Sequence, residues 1–302
     1  MQVFFLQNIN MPLVWFDLFL ELTLHLKEKY NAEVFTQKSG YLYIEKFNYH
    51  LPDCEIVIYD EKKDILKAVS WSEGPSGLLK IFSERANKDD LFVMSQFHGW
   101  FQKDFDRTTL PYTLRSSVYY PFYARTNYDY FYHLRQWSNY EDLIDMMFCL
   151  TSTGRDDVPR LREAGLCSPS PGVLSIDDYL NMAIKYKIGF SVHGVAEVCH
   201  REFDYMAIGL PNLRLEYMTQ LNPPLIPDYH YISVPRDNFP WDGIANRNGG
   251  KEYIEAYRKR FLEVKDDFDF LKFIAKNGRD YYEKYCSPQN RLSHILNLLN
   301  ID

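Results

Sequence analysis

What this 302-residue chain lacks narrows its class first. Its five cysteines, Cys54, Cys149, Cys167, Cys199 and Cys286, are odd in number and widely spaced. No C-x-x-C occurs, and no Cys/His set has structural-zinc spacing, so scattered reduced thiols are the plain reading. A basic excess is missing too: 34 Lys and Arg stand against 41 Asp and Glu, a net charge of −7. That argues against a protein whose main task is to grip nucleic acid through its phosphates, although it leaves room for one local basic cleft. No G-x-G-x-x-G follows a strand pattern, which gives a dinucleotide-binding dehydrogenase or a methyltransferase little support. No stretch reaches the roughly 20 uninterrupted apolar residues of a membrane span. The opening M-Q-V-F-F-L-Q-N-I-N-M-P-L-V-W-F-D-L-F-L-E-L is apolar but has no basic start and no small-residue cleavage site, and Asp17 and Glu21 interrupt it. It reads as a short strand and then an amphipathic helix from near Pro12. Repeats and low-complexity segments are also absent.

What is present is a folded, aromatic-rich chain. Hydrophobic residues make up 46%, enough for a packed core, and the length suits two domains of ordinary size. Aromatics reach 17%, with 24 Tyr and 21 Phe. Amphipathic rings suit sugars, which present apolar C–H faces beside hydroxyls, yet the same rings are ordinary core material.

Patterning predicts strands at 2–6, 33–37, 41–47, 55–60, 65–71 and 91–96, with helices near 12–29 and 76–86. C-E-I-V-I-Y-D-E-K-K-D-I-L-K-A-V-S-W reads as paired strands around a polar turn. Residues 104–140 read as aromatic and irregular. D-L-I-D-M-M-F-C-L-T-S-T-G-R then begins a fresh α/β domain with a buried strand. Helices at 157–164 and 176–186 follow, and two helical stretches, 251–264 and 266–299, close the chain with a break near Ser287-Pro288.

The stretch 191–217, S-V-H-G-V-A-E-V-C-H-R-E-F-D-Y-M-A-I-G-L-P-N-L-R-L-E-Y, is the most informative. It follows the β-prone K-I-G-F and reads as turn, helix (Val195 to Ile208) and second strand, the βαβ unit of a parallel sheet. Ligands of such sheets bind outside the carboxyl ends of the strands, where a helix N-terminus offers free N–H groups to an anion. His193 and Gly194 fall at that spot, with Glu197 and Arg201 one and two turns on. Val195, Cys199, Phe203 and Met206 share an apolar face, while Glu197, His200, Arg201 and Asp204 occupy the other side. The plain alternative is a surface helix with a Glu197–Arg201 pair worth about 0.3–0.5 kcal/mol.

G-V-x-E-V-C-H-R-E-x-x-Y-M-A-x-G-x-P, followed by L-R-L-E-Y and P-D-Y-H-Y-I-S-V, resembles the donor-domain core of glycosyltransferases. The likeness is to the Rumi-like and capsule-associated group (family 90) and to exostosin-like enzymes of large DNA viruses. It covers roughly residues 145–300, about half of the chain; the first half resembles no family. The resemblance implies a GT-B-like α/β architecture, two Rossmann-like domains facing across a cleft with the donor on the C-terminal half. The expected division is 1–140 for the acceptor side and 141–302 for the donor side, the last helix packing back on the first domain. It further implies transfer of a sugar from a UDP-sugar to a hydroxyl of a glycan or glycoprotein, with xylose or glucose as first donors to try. The partners are then a nucleotide sugar and a glycan acceptor, with no nucleic acid and no membrane span. Arg201 or Arg160 would neutralise the diphosphate. T-S-T-G-R-D-D-V-P-R supplies Ser152, Thr153, Arg155 and Arg160 as a second set of donor contacts, or else it is a polar, helix-capping loop. His193 donates to a phosphate or sugar hydroxyl, or is a satisfied structural histidine; Glu197 accepts from sugar hydroxyls. Tyr229, His230 or Tyr231 would contact the base, with Tyr231 preferred.

Inverting transfer needs one carboxylate to take the acceptor proton. Glu73 in W-S-E-G-P-S-G is the first candidate, with Asp104 and His98 in rivalry, and each has an ordinary loop role as its alternative. Trp71 and Trp100 could stack on the acceptor, although buried tryptophan is the safer reading. No metal is required, since arginines and a helix N-terminus can stabilise the leaving diphosphate. The Asp-Phe-Asp at 104–106 is a weak metal candidate, and that at 267–269 reads as a solvated helix start. The rival classes are a non-catalytic carbohydrate-binding protein and a metal-dependent GT-A enzyme. Most eukaryotic members of the resembled group work in the secretory pathway; without a leader pattern the expectation is a cytoplasmic setting, in an infected host cell if the source is viral.

Overall fold

The computed structural model describes residues 1–6, 13–38, 42–52, 55–70, 77–85, 87–94, 128–149, 157–169, 172, 174–192, 200–217, 221, 223–235 and 251–301. The chain divides into two compact units: Met1–Ala124 with Thr219–Pro223 and Ser287–Asp302, and Arg125–Met218 with Pro224–Cys286.

The first unit is built on a five-stranded sheet of β1 (Gln2–Leu6), β2 (Glu33–Gln37), β5 (Glu55–Asp60), β6 (Ile65–Ser70) and β7 (Leu91–Met94), in the order β2-β1-β5-β6-β7. β1 and β2 are parallel because the 18-residue α1 (Leu13–Tyr30) separates them and lets the chain cross over. β6 and β7 are parallel for the same reason, across α2 (Gly77–Arg85). β5 and β6 are antiparallel because only the turn 61–64 joins them, and β5 also lies antiparallel to β1. A Rossmann-like half would be wholly parallel; this sheet is mixed. The predicted 41–47 strand is a short hairpin instead, β3 (Leu42–Ile44) against β4 (Tyr49–Leu51). Asn48 turns the chain with φ 46°, a left-handed position that asparagine tolerates. Among the described residues of this unit two carboxylates are buried. Asp90 accepts from the Leu66 N–H and from Arg85, 2.7 Å each. Glu55 accepts from the Tyr49 hydroxyl at 2.5 Å and the Ser70 hydroxyl at 3.1 Å. The helix at 291–298 returns to α1 through a paired contact of Arg291 with Glu21.

The second unit carries a four-stranded, all-parallel sheet, β8 (Ile144–Phe148), β9 (Tyr186–Phe190), β10 (Asn212–Leu215) and β11 (Ile232–Val234), neighbours in chain order. Five helices surround it: α3 (Tyr128–Gln136), α4 (Asp157–Glu163), α5 (Ile176–Ala183), α6 (His200–Ala207) and α7 (Lys251–Val264), followed by α8 (Phe268–Tyr285). α9 is the 291–298 helix of the first unit. β9, β10 and β11 are buried along their whole length, as strands covered on both faces must be. Ile188, Phe190, Leu213, Leu215, Ile232 and Val234 pack with Val158 and Leu161 of α4 and Tyr257 and Phe261 of α7. On the opposite face Gly189 leaves room for Tyr205, whose hydroxyl donates to the Phe148 carbonyl at 3.0 Å. A Cβ on Gly189 would lie 2.6 Å from that ring. Asp267 caps α8 by accepting from the Phe270 N–H at 3.0 Å, so Asp267-Phe-Asp269 is a helix start, as its sequence context predicts.

Two corrections to the predicted elements come from this unit. A helix, α3, stands at Tyr128–Gln136, inside the stretch read as irregular, and its Tyr128, Phe131 and Arg135 point inward. Its aromatic composition gives weak intrinsic helix preference, so packing rather than propensity forms it. The other concerns α6. Its polar side is not a solvated face: Arg201, Glu202 and Asp204 are all buried. α3 and α8 lie over that side, with Tyr128 of α3 bonded to Asp204 and Arg279 of α8 to the Ala207 carbonyl.

Two substitutions test this packing. Gly189→Ala forces a hydrogen-bonded ring aside and is expected to lower unfolding free energy by about 1–3 kcal/mol in urea denaturation. Arg135 is buried and donates to the carbonyls of Gly209 (2.9 Å), Ile184 (2.9 Å), Tyr186 (2.7 Å) and Lys187 (3.0 Å). Arg135→Met is expected to cost at least about 3 kcal/mol in the same measurement, and Arg135→Lys to recover little, because an ammonium lacks the fork.

Candidate functional site

The carboxyl ends of β8 and β9 are adjacent and point the same way. Stretches 150–156 and 193–199, which carry Ser152, Thr153, Arg155, His193, Gly194 and Glu197, leave from those two ends and lie outside the described residues. The candidate bases Glu73, Asp104 and His98, and Trp71 and Trp100, lie outside them as well. Arg160, Arg201 and the alternatives Tyr229, His230 and Tyr231 are the candidates that the structure describes.

Arg201 sits in the first turn of α6, 9% exposed, with Nη1 4.0 Å from the Cys149 sulfur at the end of β8. The guanidinium is thereby brought to the carboxyl edge of the sheet, where an anion can meet it. Arg160 is exposed on α4. Tyr231 is buried at the start of β11, its ring edge-on to Tyr217 at 5.2 Å. It supports Tyr217 from within the unit. Its neighbour His230 accepts the Ile226 N–H at Nδ1 (2.9 Å), and burial pushes its pKa down to about 4, so the ring stays neutral. Tyr229 is partly exposed against Phe273.

Around Arg201 the structure assembles polar groups that spacing did not single out. Asp204 lies three residues on, and the Tyr128 hydroxyl donates to it at 2.6 Å. Burial pushes the Asp204 carboxyl up to about 7, against the opposing pull of that hydrogen bond and of Arg201. Tyr179 and Tyr205 stack nearby at 6.4 Å, and burial raises both phenols well above their ordinary range. On the opposite side of α6, Glu202 meets Arg214 of β10 at 2.6 Å, both 1% exposed, and accepts from the Tyr217 hydroxyl. The Arg214 guanidinium lies 3.2 Å from the centre of the Tyr217 ring, so the ion pair is roofed by an aromatic face. Arg162, rather than Arg160, ties the end of β8: it donates to the Cys149 carbonyl at 2.8 Å and the Ser168 carbonyl at 2.7 Å. The signal for Glu202–Arg214 was present in R-E-F-D and L-R-L-E-Y as charged residues inside otherwise apolar runs, where burial demands a partner.

Chemically, the described part of the site offers Arg201 at the sheet's carboxyl edge, beside an Arg162 committed to backbone carbonyls, with one buried carboxylate of near-neutral pKa behind Arg201 and phenols around both. Among the described residues, no three His, Cys, Asp or Glu side chains converge to hold a metal ion, and no helix is long and apolar enough to cross a membrane.

No family model matches this chain. No curated protein matches it either. Among solved structures it is similar to the crystal structure of TarM, with 9% sequence identity and a TM-score of 0.36. The match covers 86% of this chain and 66% of that one, so the chain spans about two thirds of the length of TarM. At that TM-score the likeness carries no argument about activity.

The Asp204 carboxyl has a stability signature. Its folded pKa of about 7 lies above the unfolded value of 3.8, so the folded state holds the proton more tightly. Stability from this group is full below pH 4 and is lost as pH rises through 7. Asp204→Asn keeps an acceptor for Tyr128 and removes the titration. The variant is expected to lose the wild-type decline between pH 4 and 7, a difference of a few kcal/mol at roughly 1.4 per pKa unit, in urea unfolding measured across that range.

Proposed function

We propose that this chain is a metal-independent glycosyltransferase of GT-B architecture that moves a sugar from a UDP-sugar to a hydroxyl of a glycan or glycoprotein. The observation that carries the reading is the position of Arg201. It comes from the helix after β9 and reaches the carboxyl end of β8, with T-S-T-G-R and H-G-V-A-E leaving from those same two strand ends. A cation at a parallel sheet's carboxyl edge, where two stretches that the sequence reads as small-residue turns leave their strands, suits a diphosphate. The likeness of residues 193–217 to glycosyltransferase donor cores supplies the substrate class, and UDP-xylose and UDP-glucose are the donors to try first.

In this reading Arg201 neutralises the diphosphate as it leaves, assisted by Arg155 and Arg160, while Ser152, Thr153, His193 and Gly194 bind its oxygens. Glu197 orients the sugar by accepting from its hydroxyls. The acceptor oxygen attacks the anomeric carbon as the bond to the UDP oxygen breaks, and one carboxylate or imidazole, from among Glu73, Asp104 and His98, takes the hydroxyl proton. Electrostatic stabilisation of the departing diphosphate makes the largest contribution, because Arg201 is fixed in a nearly dry setting before the reaction begins.

Thermal unfolding in EDTA tests the donor site. UDP or a UDP-sugar at about 100 times its dissociation constant adds about 2.7 kcal/mol, a visible rise in melting temperature. The rise is expected in the wild type and absent in Arg201→Ala. Stabilisation that requires manganese would favour a metal-dependent enzyme, and the absence of any nucleotide response would favour a carbohydrate-binding protein without turnover.

A further inference from the structure

We propose that Asp204 takes up a proton when an anion binds at Arg201, so that affinity for a diphosphate at this site is linked to pH. The inference rests on the reading above in placing the anion at Arg201, and it adds a regulation that the reading does not contain.

The geometry is specific. Asp204 and Arg201 are three residues apart on one helix, hence neighbours on one face, and both are buried. Each group faces charges and protons from the elements around it: Arg201 meets the Cys149 thiol at the end of β8, 4.0 Å away, and lies in electrostatic reach of Tyr205 on its own helix. From α3 come the Tyr128 hydroxyl, bonded to Asp204, and Arg135, whose charge is committed to four carbonyls including that of Gly209. From α8 come Tyr282, whose phenol senses the Asp204 charge, and Arg279, bonded to the Ala207 carbonyl and to Asp129. From α5 comes Tyr179, within electrostatic reach of both Asp204 and Arg201. From β10, Arg214 is taken by Glu202 on the far side of the helix. Arg201 is therefore the cation of its own face that favours the ionised form of Asp204.

An anion changes that balance. Once a diphosphate claims the Arg201 charge, the carboxylate behind it loses its electrostatic support and gains a like-charged neighbour. Both effects favour the protonated acid. The proton comes from solvent, and the neutral Asp204 still accepts from Tyr128 through its carbonyl oxygen. Because the carboxyl already titrates near neutral pH in the free protein, the change falls in the range just above 7. At pH 5 the group is protonated before binding and the linkage vanishes.

Calorimetric titration of the full chain, with inorganic pyrophosphate and separately with UDP, in buffers of differing ionisation enthalpy at pH 7.5, reads the proton count directly. The wild type is expected to take up a fraction of a proton more than Asp204→Asn. Above that pH its affinity should fall, relative to the variant, by up to about tenfold per unit, the limit for one linked proton. Titration of the ligand's own phosphates is common to both proteins and cancels. Tyr128→Phe removes a hydrogen bond that favours the ionised form, so its uptake window should move to higher pH; this decides the matter if Asp204→Asn does not fold. UDP binding with identical proton counts in wild type and Asp204→Asn, or an unmoved window in Tyr128→Phe, overturns the linkage and leaves the nucleotide reading standing. Pyrophosphate binding with uptake but no response to UDP supports the linkage and overturns the nucleotide reading. Binding of neither anion overturns both.

Discussion

The second unit depends on one side chain that holds no ligand. Arg135 reaches from α3 into the interior and distributes its N–H groups over the carbonyls of Ile184, Tyr186, Lys187 and Gly209. Those carbonyls belong to the turn that ends α5, the start of β9, and the turn that ends α6. Among the described residues no carboxylate shares the work; burial lowers the guanidinium's pKa, and the Tyr140 ring lies near it at 5.4 Å. A buried unpaired carbonyl is costly, so two turns and a strand start that would otherwise need separate solutions are satisfied by one rigid fork. The consequence reaches the site. With the start of β9 and the carboxyl end of α6 fixed relative to each other, the rest of β9 and the face of α6 that carries Arg201 are held in register.

Much of this architecture was legible in the sequence, for a physical reason. β1, β2 and β5 alternate or run apolar between clear turn residues, and α7 and α8 are bounded by glycine, aspartate and a Ser-Pro break, so period and punctuation suffice to locate them. Periodicity reports which face of an element is apolar. It does not report what a polar face meets. On α6 the apolar positions Phe203 and Met206 are buried as their spacing predicts, yet Asp204 is buried as well, beneath a tyrosine 76 residues earlier in the chain. The helix that bears that tyrosine was itself invisible, because Y-D-Y-F-Y-H-L-R-Q carries its inward residues at positions where aromatic side chains occupy both faces. Arg162 illustrates the same limit. It and Arg160 are equivalent as sequence, and only the return of Ser168 beside Cys149 makes Arg162 the one that holds the strand end.

The charges of α6 set it apart from a helix that merely fills space. Two carboxylates two residues apart project to opposite sides and meet opposite environments. Glu202 turns toward β10, where Arg214 and the Tyr217 hydroxyl engage it and the Tyr217 ring closes over the pair. Removing either charge there would leave the other stranded, which makes the pair a strict structural constraint whatever its net contribution to stability. Asp204 turns toward α3 and accepts from the Tyr128 hydroxyl, with Arg201 in electrostatic reach. One carboxylate is paired with a guanidinium and the other is held close to the point of protonation. A protein that needed α6 only for packing would gain stability by replacing Asp204 with an apolar residue, since a buried acid with one hydrogen bond opposes folding at neutral pH. Its presence beside a buried arginine at the sheet's carboxyl edge is what the proposed anion linkage accounts for. The same environment that weakens the fold gives the arginine a counter-charge that can be neutralised by a single proton when a stronger anion arrives.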